Sequence, residues 1–191
     1  MSVVVVNHLS LDGVMQSPGR PDEDTRGGFA HGGWAAAADD AAVGPVVASV
    51  MGPRFSWLFG RRSYDEMLGH WNEVGGPYRD GLNGAMKHVA SSDPDATLPW
   101  PNSSLLTGDV PASVAELRGR SAGNLVIMGS GALIRSLLPH GLIDEMLLII
   151  HPLTLGSGVR LFPDDGALRR FALVGAEATG TGLVLTRYRS L

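Results

Sequence analysis

Hydrophobic positions along the chain fall into short runs separated by polar stretches rich in glycine and proline. Residues 3–6 are four consecutive valines. A β-branched run of this kind predicts a strand buried on both faces of a sheet. Residues 56–59 predict a second strand, which Gly60-Arg61-Arg62-Ser63 turns into a helix over 64–70. Short strands follow at 87–91 and 102–106, then a helix over 110–120 with Pro111 in its first turn, where proline is tolerated. Residues 34–51 are rich in alanine and predict a helix that Gly44-Pro45 breaks or kinks. Between the first strand and that helix, residues 9–33 form a long polar, glycine-rich stretch containing SPGRPDED and GGFAHGG. Loops of this length in compact domains usually serve as lids or binding loops.

The densest signal lies in residues 124–162. An apolar run at 125–128 ends in Gly129-Ser130-Gly131. Ala132, Leu133, Leu137 and Leu138 then recur at helical spacing, and a second apolar run fills 143–150. Strand, glycine turn, helix and strand make a βαβ unit with a right-handed crossover. Runs at 171–178 and 183–188, joined by Gly180-Thr181-Gly182, predict a terminal hairpin. The fold class is therefore α/β: a mostly parallel mixed sheet with helices on both faces and a C-terminal antiparallel hairpin. No repeat or linker divides residues 1–191, which are read as one domain. Glycines at the βα turn let a backbone approach a ligand, and the N–H groups opening the helix favour an anion such as a phosphate. Close packing of helix on strand explains the same glycines without a ligand.

Composition narrows the picture mainly by exclusion. The chain has no cysteine, so disulfides, thiolate nucleophiles and cysteine metal sites are absent. Its formal charge is −4, with one lysine, Lys87, and scattered arginines. No basic patch interleaved with aromatics suggests a nucleic-acid partner. The six histidines show no ligand spacing, so no metal site is expected. The opening MSVVVVNHL lacks the basic start and long apolar run of a signal peptide, and no run approaches a membrane span. A cytoplasmic protein acting on a small molecule is expected.

Four segments carry a resemblance to a family. Ser10-Leu11-Asp12-Gly13 follows the first strand. Phe59-Gly60-Arg61-Arg62-Ser63-Tyr64 makes a strand-to-helix turn. Gly129-Ser130-Gly131 is the third, and Leu142-Ile143-Asp144-Glu145 with Pro152, Gly156 and Gly158 the fourth. In this order they resemble the dihydrofolate reductase-like superfamily, in its riboflavin-biosynthesis reductase branch, the RibD C-terminal domain. The resemblance covers most of the chain. It implies a dihydrofolate-reductase-like sheet, reduction of a small pteridine or riboflavin-pathway aminopyrimidine with NADPH as hydride donor, and a homodimer.

Local chemistry agrees with that implication. Arg61 and Arg62, after a strand end, can bracket a 2′-phosphate, and Ser63 can cap the next helix or donate to a phosphate. An exposed arginine pair at a helix start is the plainer alternative. By the resemblance, Gly60, Ser91 and Ser92 line the adenosine side, Gly129, Ser130, Gly131 and Ala132 the pyrophosphate, and Gly13, Val14 and Met15 the nicotinamide. Asp12 is read first as a residue that holds its loop by accepting backbone N–H bonds.

The proton donor has no motif of its own. The helix after the long loop offers Asp39 and Asp40 in an alanine surround that would raise the pKa of an inward carboxyl. Asp39, nearer the loop, is chosen as the acid; both being solvated surface charges is the alternative. His8 and His151, at strand ends, and Trp34, at the end of the long loop, are candidates for the substrate pocket. A non-catalytic nucleotide- or ligand-binding protein on the same fold is the competing function, and flavin or folate binding without NADPH is a third.

Overall fold

The computed structural model describes residues 2–38, 40–120 and 122–191. Eight strands form one sheet in the order β4-β3-β2-β5-β1-β6-β8-β7. The strands are β1 (Val3–Ser10), β2 (Phe55–Gly60), β3 (Lys87–Ala90), β4 (Ser103–Leu106), β5 (Asn124–Met128), β6 (Glu145–His151), β7 (Phe171–Ala178) and β8 (Val184–Ser190). The first six are parallel to their neighbours; β8 runs antiparallel to β6, and β7 antiparallel to β8. The mixed sheet and its terminal hairpin are those the hydrophobic pattern predicts. The four valines sit in the central strand β1 and are at most 2% exposed. Alternation sends Val3 and Val5 to one face, Val4 and Val6 to the other.

Helices cover both faces. On the Val3 and Val5 side pack α4 (Val110–Arg120) and α5 (Gly131–Leu137), through Val114, Leu133, Ile134 and Leu137. On the other pack α1 (Val43–Met51), α2 (Arg61–Val74) and α3 (Gly76–Gly84), through Val50, Tyr64, Leu68 and Leu82. The crossover from β5 through α5 reaches β6 on the far side of β1. Among the described residues, no helix is long and apolar enough to cross a membrane.

Two local departures from the sequence pattern have clear causes. The helix expected over 34–51 is not continuous: a 3-10 turn spans Ala36–Ala38, and α1 starts only at Val43. Gly44-Pro45 therefore falls in the first turn of α1, where the missing proline N–H costs nothing. Helix α3, with the sequence GPYRDGLNG, has little helical propensity and no apolar period, and the pattern does not predict it. Tertiary contacts make it. Leu82 is buried, and the fully buried Lys87 ammonium donates to the carbonyls of Leu82 at 2.6 Å, Ala85 at 2.7 Å and Asn83 at 3.3 Å. A cation on the last carbonyls satisfies orphan acceptors and the negative end of the helix together.

Candidate active site at the carboxyl ends of the strands

The carboxyl ends of β1, β2, β3, β5 and β6 open on one edge of the sheet, where ligands lie in open α/β folds. At the end of β5 the Gly129-Ser130-Gly131 turn is tied down from three sides. The Gly129 N–H donates to Asn7 Oδ1 (3.0 Å) and the Ser130 N–H to Ser63 Oγ (2.9 Å). In return Ser130 Oγ accepts from the Gly60 N–H (2.9 Å). Ser130 holds a left-handed φ of 56°, uncommon for a residue with a side chain. These ties close the ends of β2 and β5 against each other. Two N–H groups expected to be open for a ligand are thus engaged within the protein. Those of Gly131 and Ala132, at the start of α5, have no acceptor among the described residues.

Ser63 departs from its expected cap role. Helix α2 begins two residues earlier, at Arg61, with Gly60 as N-cap and no side-chain cap bond. Ser63 sits inside the first turn, facing β5. Arg61 forms an i,i+4 ion pair with Asp65 (2.7 Å), while Arg62 is exposed and makes no ion pair among the described residues. Gly60 pairs in register with Ala90, so Ser91 and Ser92 follow beside the arginine turn; the Ser91 N–H donates to the Leu106 carbonyl.

The Ser10–Gly13 segment and the long loop pack onto residues 153–161. Asp12 accepts from the Ser10 hydroxyl (2.6 Å) and from the N–H groups of Leu155 (3.1 Å) and Gly156 (2.9 Å). The Ser10 bond first, then the backbone N–H groups, hold its carboxyl down to about 2. Asp12 is therefore a tie between two loops. The Met15 N–H donates to the Val159 carbonyl, and the buried Gln16 amide bonds Asp24, Arg26 and Val159 backbone. Gly158 has a φ of 109°, and a Cβ there would lie 2.8 Å from both Phe29 and Val14. Only glycine lets the strand tail and the long loop approach so closely. Met15, 8% exposed, lies over the β5 turn: a Cβ at Gly131 would meet its Sδ and Arg135 Nη1, each at 2.9 Å. Of Gly13, Val14 and Met15, which the sequence groups with the glycine turn, the structure sets Met15 against Gly131 and Val14 against Gly158.

His8 and His151 also come together. Nδ1 of His8 lies 2.9 Å from Nε2 of His151, and Trp34 stands edge-on to the His151 ring with centroids 5.1 Å apart. Burial, and then His151 itself, pull the His8 imidazole down to about 4; burial lowers His151 as well. Of the two aspartates, Asp39 lies outside the described residues. Asp40 accepts from the Thr181 hydroxyl (2.7 Å) and the Ala42 N–H (2.9 Å), and these bonds, Thr181 foremost, bring it to about 2. A carboxyl so held does not supply protons near neutrality.

Asn7 was not among the sequence candidates. It is 5% exposed, and while its Oδ1 holds the Gly129 N–H, its Nδ2 has no partner. The signal is an amide directly after four valines, and Asn7 lies in the middle of β1, beside the end of β5. Two open hollows lie elsewhere: about 370 Å³ beside Arg118 and Leu142, and about 440 Å³ between Met146, Phe162 and Leu168. At the strand ends, the tips of Met15 and Arg135 lie against Gly131.

The sequence profile of the RibD C-terminal domain matches residues 84–185, more than half of the chain. The chain belongs to the RibD C-terminal domain family. This match covers β3 to β7 and the first two residues of β8, and so includes the glycine turn and His151. No curated protein matches the chain in sequence. Among solved structures, a Shewanella sp. PV-4 protein named for riboflavin biosynthesis superposes with a TM-score of 0.72 at 22% identity, over 100% of this chain and 99% of that one. A pyrimidine reductase-like protein of Corynebacterium diphtheriae gives 0.65 at 12% identity, over 100% and 92%. Dihydrofolate reductase of Enterococcus faecalis, in complex with NADP(H), gives 0.61 at 13%, over 99% and 96%. At such identities the likeness establishes the fold. It is the dihydrofolate-reductase-like sheet.

Proposed function

We propose that this RibD C-terminal domain protein is an NADPH-dependent reductase of a small heterocycle, of the pteridine or riboflavin-pathway aminopyrimidine class, with residues 1–191 acting as one domain. One observation carries the reading: unsatisfied polar groups converge at the carboxyl ends of the central strands. They are the buried Asn7 Nδ2, the open N–H groups of Gly131 and Ala132, and the unpaired guanidinium of Arg62. Groups of this kind suit a polar, phosphorylated cofactor, which would supply the hydride.

In this reading Arg61, Arg62 and Ser63 hold the 2′-phosphate end, with Gly60, Ser91 and Ser92 beside them. Gly129, Ser130, Gly131 and Ala132 receive the pyrophosphate, and Gly13, Val14 and Met15 cover the nicotinamide. Reaching Arg61 means sharing it with Asp65, and reaching Gly131 means moving Met15 and Arg135 aside. The loop carrying Met15 thereby excludes water from the site. His8, Trp34 and His151 border the substrate, and Asp39 delivers the proton.

A homodimer, which the family resemblance implies, belongs to the same proposal. The apolar run in β6 needs no partner, since β6 lies buried between β1 and β8. One apolar surface open to association is on the hairpin and the loop before it: Leu168, Leu173, Val174 and Phe162 are 41–76% exposed. Light scattering that finds a monomer over a wide concentration range removes the dimer.

The test of function is NADPH oxidation measured against a panel of pteridines and aminopyrimidines, beside a calorimetric titration with NADPH. Tight NADPH binding with no turnover on any substrate leaves the non-catalytic reading. Flavin or folate binding with no NADPH binding overturns the cofactor assignment.

A further inference from the structure

The His8 and His151 pair carries one more inference, which rests on the reductase reading above. In the register of β1 and β6, His8 lies opposite Ile149 and Ser10 opposite His151, so the two imidazoles sit diagonally across adjacent strands. Alternation puts His8 on the face of Val4 and Val6, and His151 on that of Leu147 and Ile149, all four in the core cluster under α1 and α2. His151 is the inner ring, 1% exposed and closed off by Trp34, whose own indole N–H donates to the Gln16 carbonyl. His8 is the outer ring and is partly exposed.

The surroundings leave the pair to itself. Among the described residues, His151 is the only titratable group acting on His8, and neither ring has a carboxylate or a cation as hydrogen-bond partner. Thr186 of β8 bonds the Leu148 carbonyl, and Asp40, ahead of α1, is engaged by Thr181 and Ala42. Burial with no compensating anion disfavours the charged form, so both rings are neutral at ordinary pH.

A neutral pair has two arrangements. If His8 donates across the 2.9 Å contact, His151 must carry its remaining proton on Nδ1, which is buried without a partner. If His151 donates through Nε2, that buried Nδ1 is a bare lone pair, and His8 keeps its proton on Nε2. Buried N–H groups without an acceptor are the rarer outcome in proteins. The second arrangement therefore prevails, and the outer ring offers an N–H away from the pair.

We propose that His8 donates this N–H to the ring carbonyl or imine of the heterocyclic substrate, and that His151 is the positioning residue that fixes the His8 tautomer. When hydride adds to the carbon of a C=N or C=O bond, the π electron pair moves onto the heteroatom. A fixed N–H there stabilises the developing charge. The proton that completes the reduction arrives separately, from Asp39 in the reading above, so His8 begins and ends the step neutral.

The experiment is nitrogen NMR of the whole protein labelled with ¹⁵N-histidine, with His8→Phe and His151→Phe variants to assign the rings. The expected spectrum at neutral pH shows His8 protonated on Nε2 only, and His151→Phe turns it into a mixture of tautomers. A His8 protonated on Nδ1, or an imidazolium near pH 7, overturns the proposal with no ligand needed. Pterin is then added as a lactam probe to protein saturated with NADP⁺. The His8 Nε2 signal should move, and His8→Phe should weaken pterin binding about tenfold, the worth of one hydrogen bond, with NADP⁺ affinity unchanged. NADP⁺ binding with an unmoved His8 signal overturns the donor role and leaves the reductase reading standing. Failure of NADP⁺ to bind counts against the reductase reading, and the tautomer still decides whether the outer ring offers an N–H.

Discussion

Two clusters stand at the same edge of the sheet and treat their polar atoms differently. At the ends of β2 and β5, Gly60, Ser63, Asn7 and Ser130 exchange hydrogen bonds at 2.9–3.0 Å and leave little unsatisfied except Asn7 Nδ2. At the ends of β1 and β6, His8 and His151 share a single contact and leave a buried nitrogen without a partner. The serine cluster behaves as framework, since each bond in it ties together segments distant along the chain. The histidine pair is costly as framework, because it desolvates two imidazoles for one hydrogen bond. Where a fold tolerates such a deficit, fixing the outer ring so that it presents an N–H to a ligand is the economical explanation.

The contrast can be broken from either side. The largest effect is expected at Gly131. Its Cβ would meet only the tips of Met15 and Arg135, which can swing away, so Gly131→Val should keep the fold while closing the approach to the α5 N–H groups. NADPH affinity should fall by more than about 3 kcal/mol, at least a hundredfold, with little change in melting temperature. A large stability loss with binding retained would return this glycine to a packing role.

Turnover is next, and it bears on the acid that neither cluster supplies. Asp39→Asn should depress turnover strongly and leave NADPH affinity alone, whereas Asp40→Asn should spare turnover, because Asp40 is bound to Thr181 and Ala42. Full activity in both variants would remove the carboxylates from consideration.

On the framework side, Ser63→Ala strands the Ser130 N–H, at a cost of about 1–3 kcal/mol. For a chain of this size that is a fall of roughly 2–12 °C in melting temperature, read by calorimetry. No change would mean that water replaces the serine and that the lock is dispensable. Arg61→Ala should lower NADPH affinity by about 1–3 kcal/mol and NADH affinity much less. Its pairing with Asp65 argues for the lower end of that range, and equal affinities of the wild type for both cofactors would defeat the 2′-phosphate assignment.

The smallest expected effect concerns pH. His8 falls from an ordinary 6.5 to about 4 on folding, so the unfolded chain binds more protons between those values. Its contribution is complete above pH 6.5 and is lost as the pH falls towards 4. The melting temperature should therefore drop over that window by more in the wild type than in His8→Phe. Parallel curves for the two proteins would show that His8 titrates normally.

What could be read from the chain was what its period and its glycines encode. The valines of β1, helix α4 from 110 to 120 and strand β7 from 171 to 178 fall at the residues the pattern predicts. Helix α3 could not be read, because its cause is Lys87, a residue outside the helix. The site was readable as a set of positions but not as a network. Ser63 looked like a helix cap, and only the placement of β5 beside β2 makes it a partner of Ser130. Likewise the histidines lie 143 residues apart, and no spacing rule connects them.

Lys87 has a consequence of a different kind. It is the chain's single lysine and is fully buried, so the folded surface presents no side-chain amine. Reagents that acylate lysine meet this residue only when α3 lifts away from β3. The rate at which Lys87 becomes modified is therefore a built-in clock for local opening of that corner of the sheet, separate from global unfolding and readable by mass without introducing a probe.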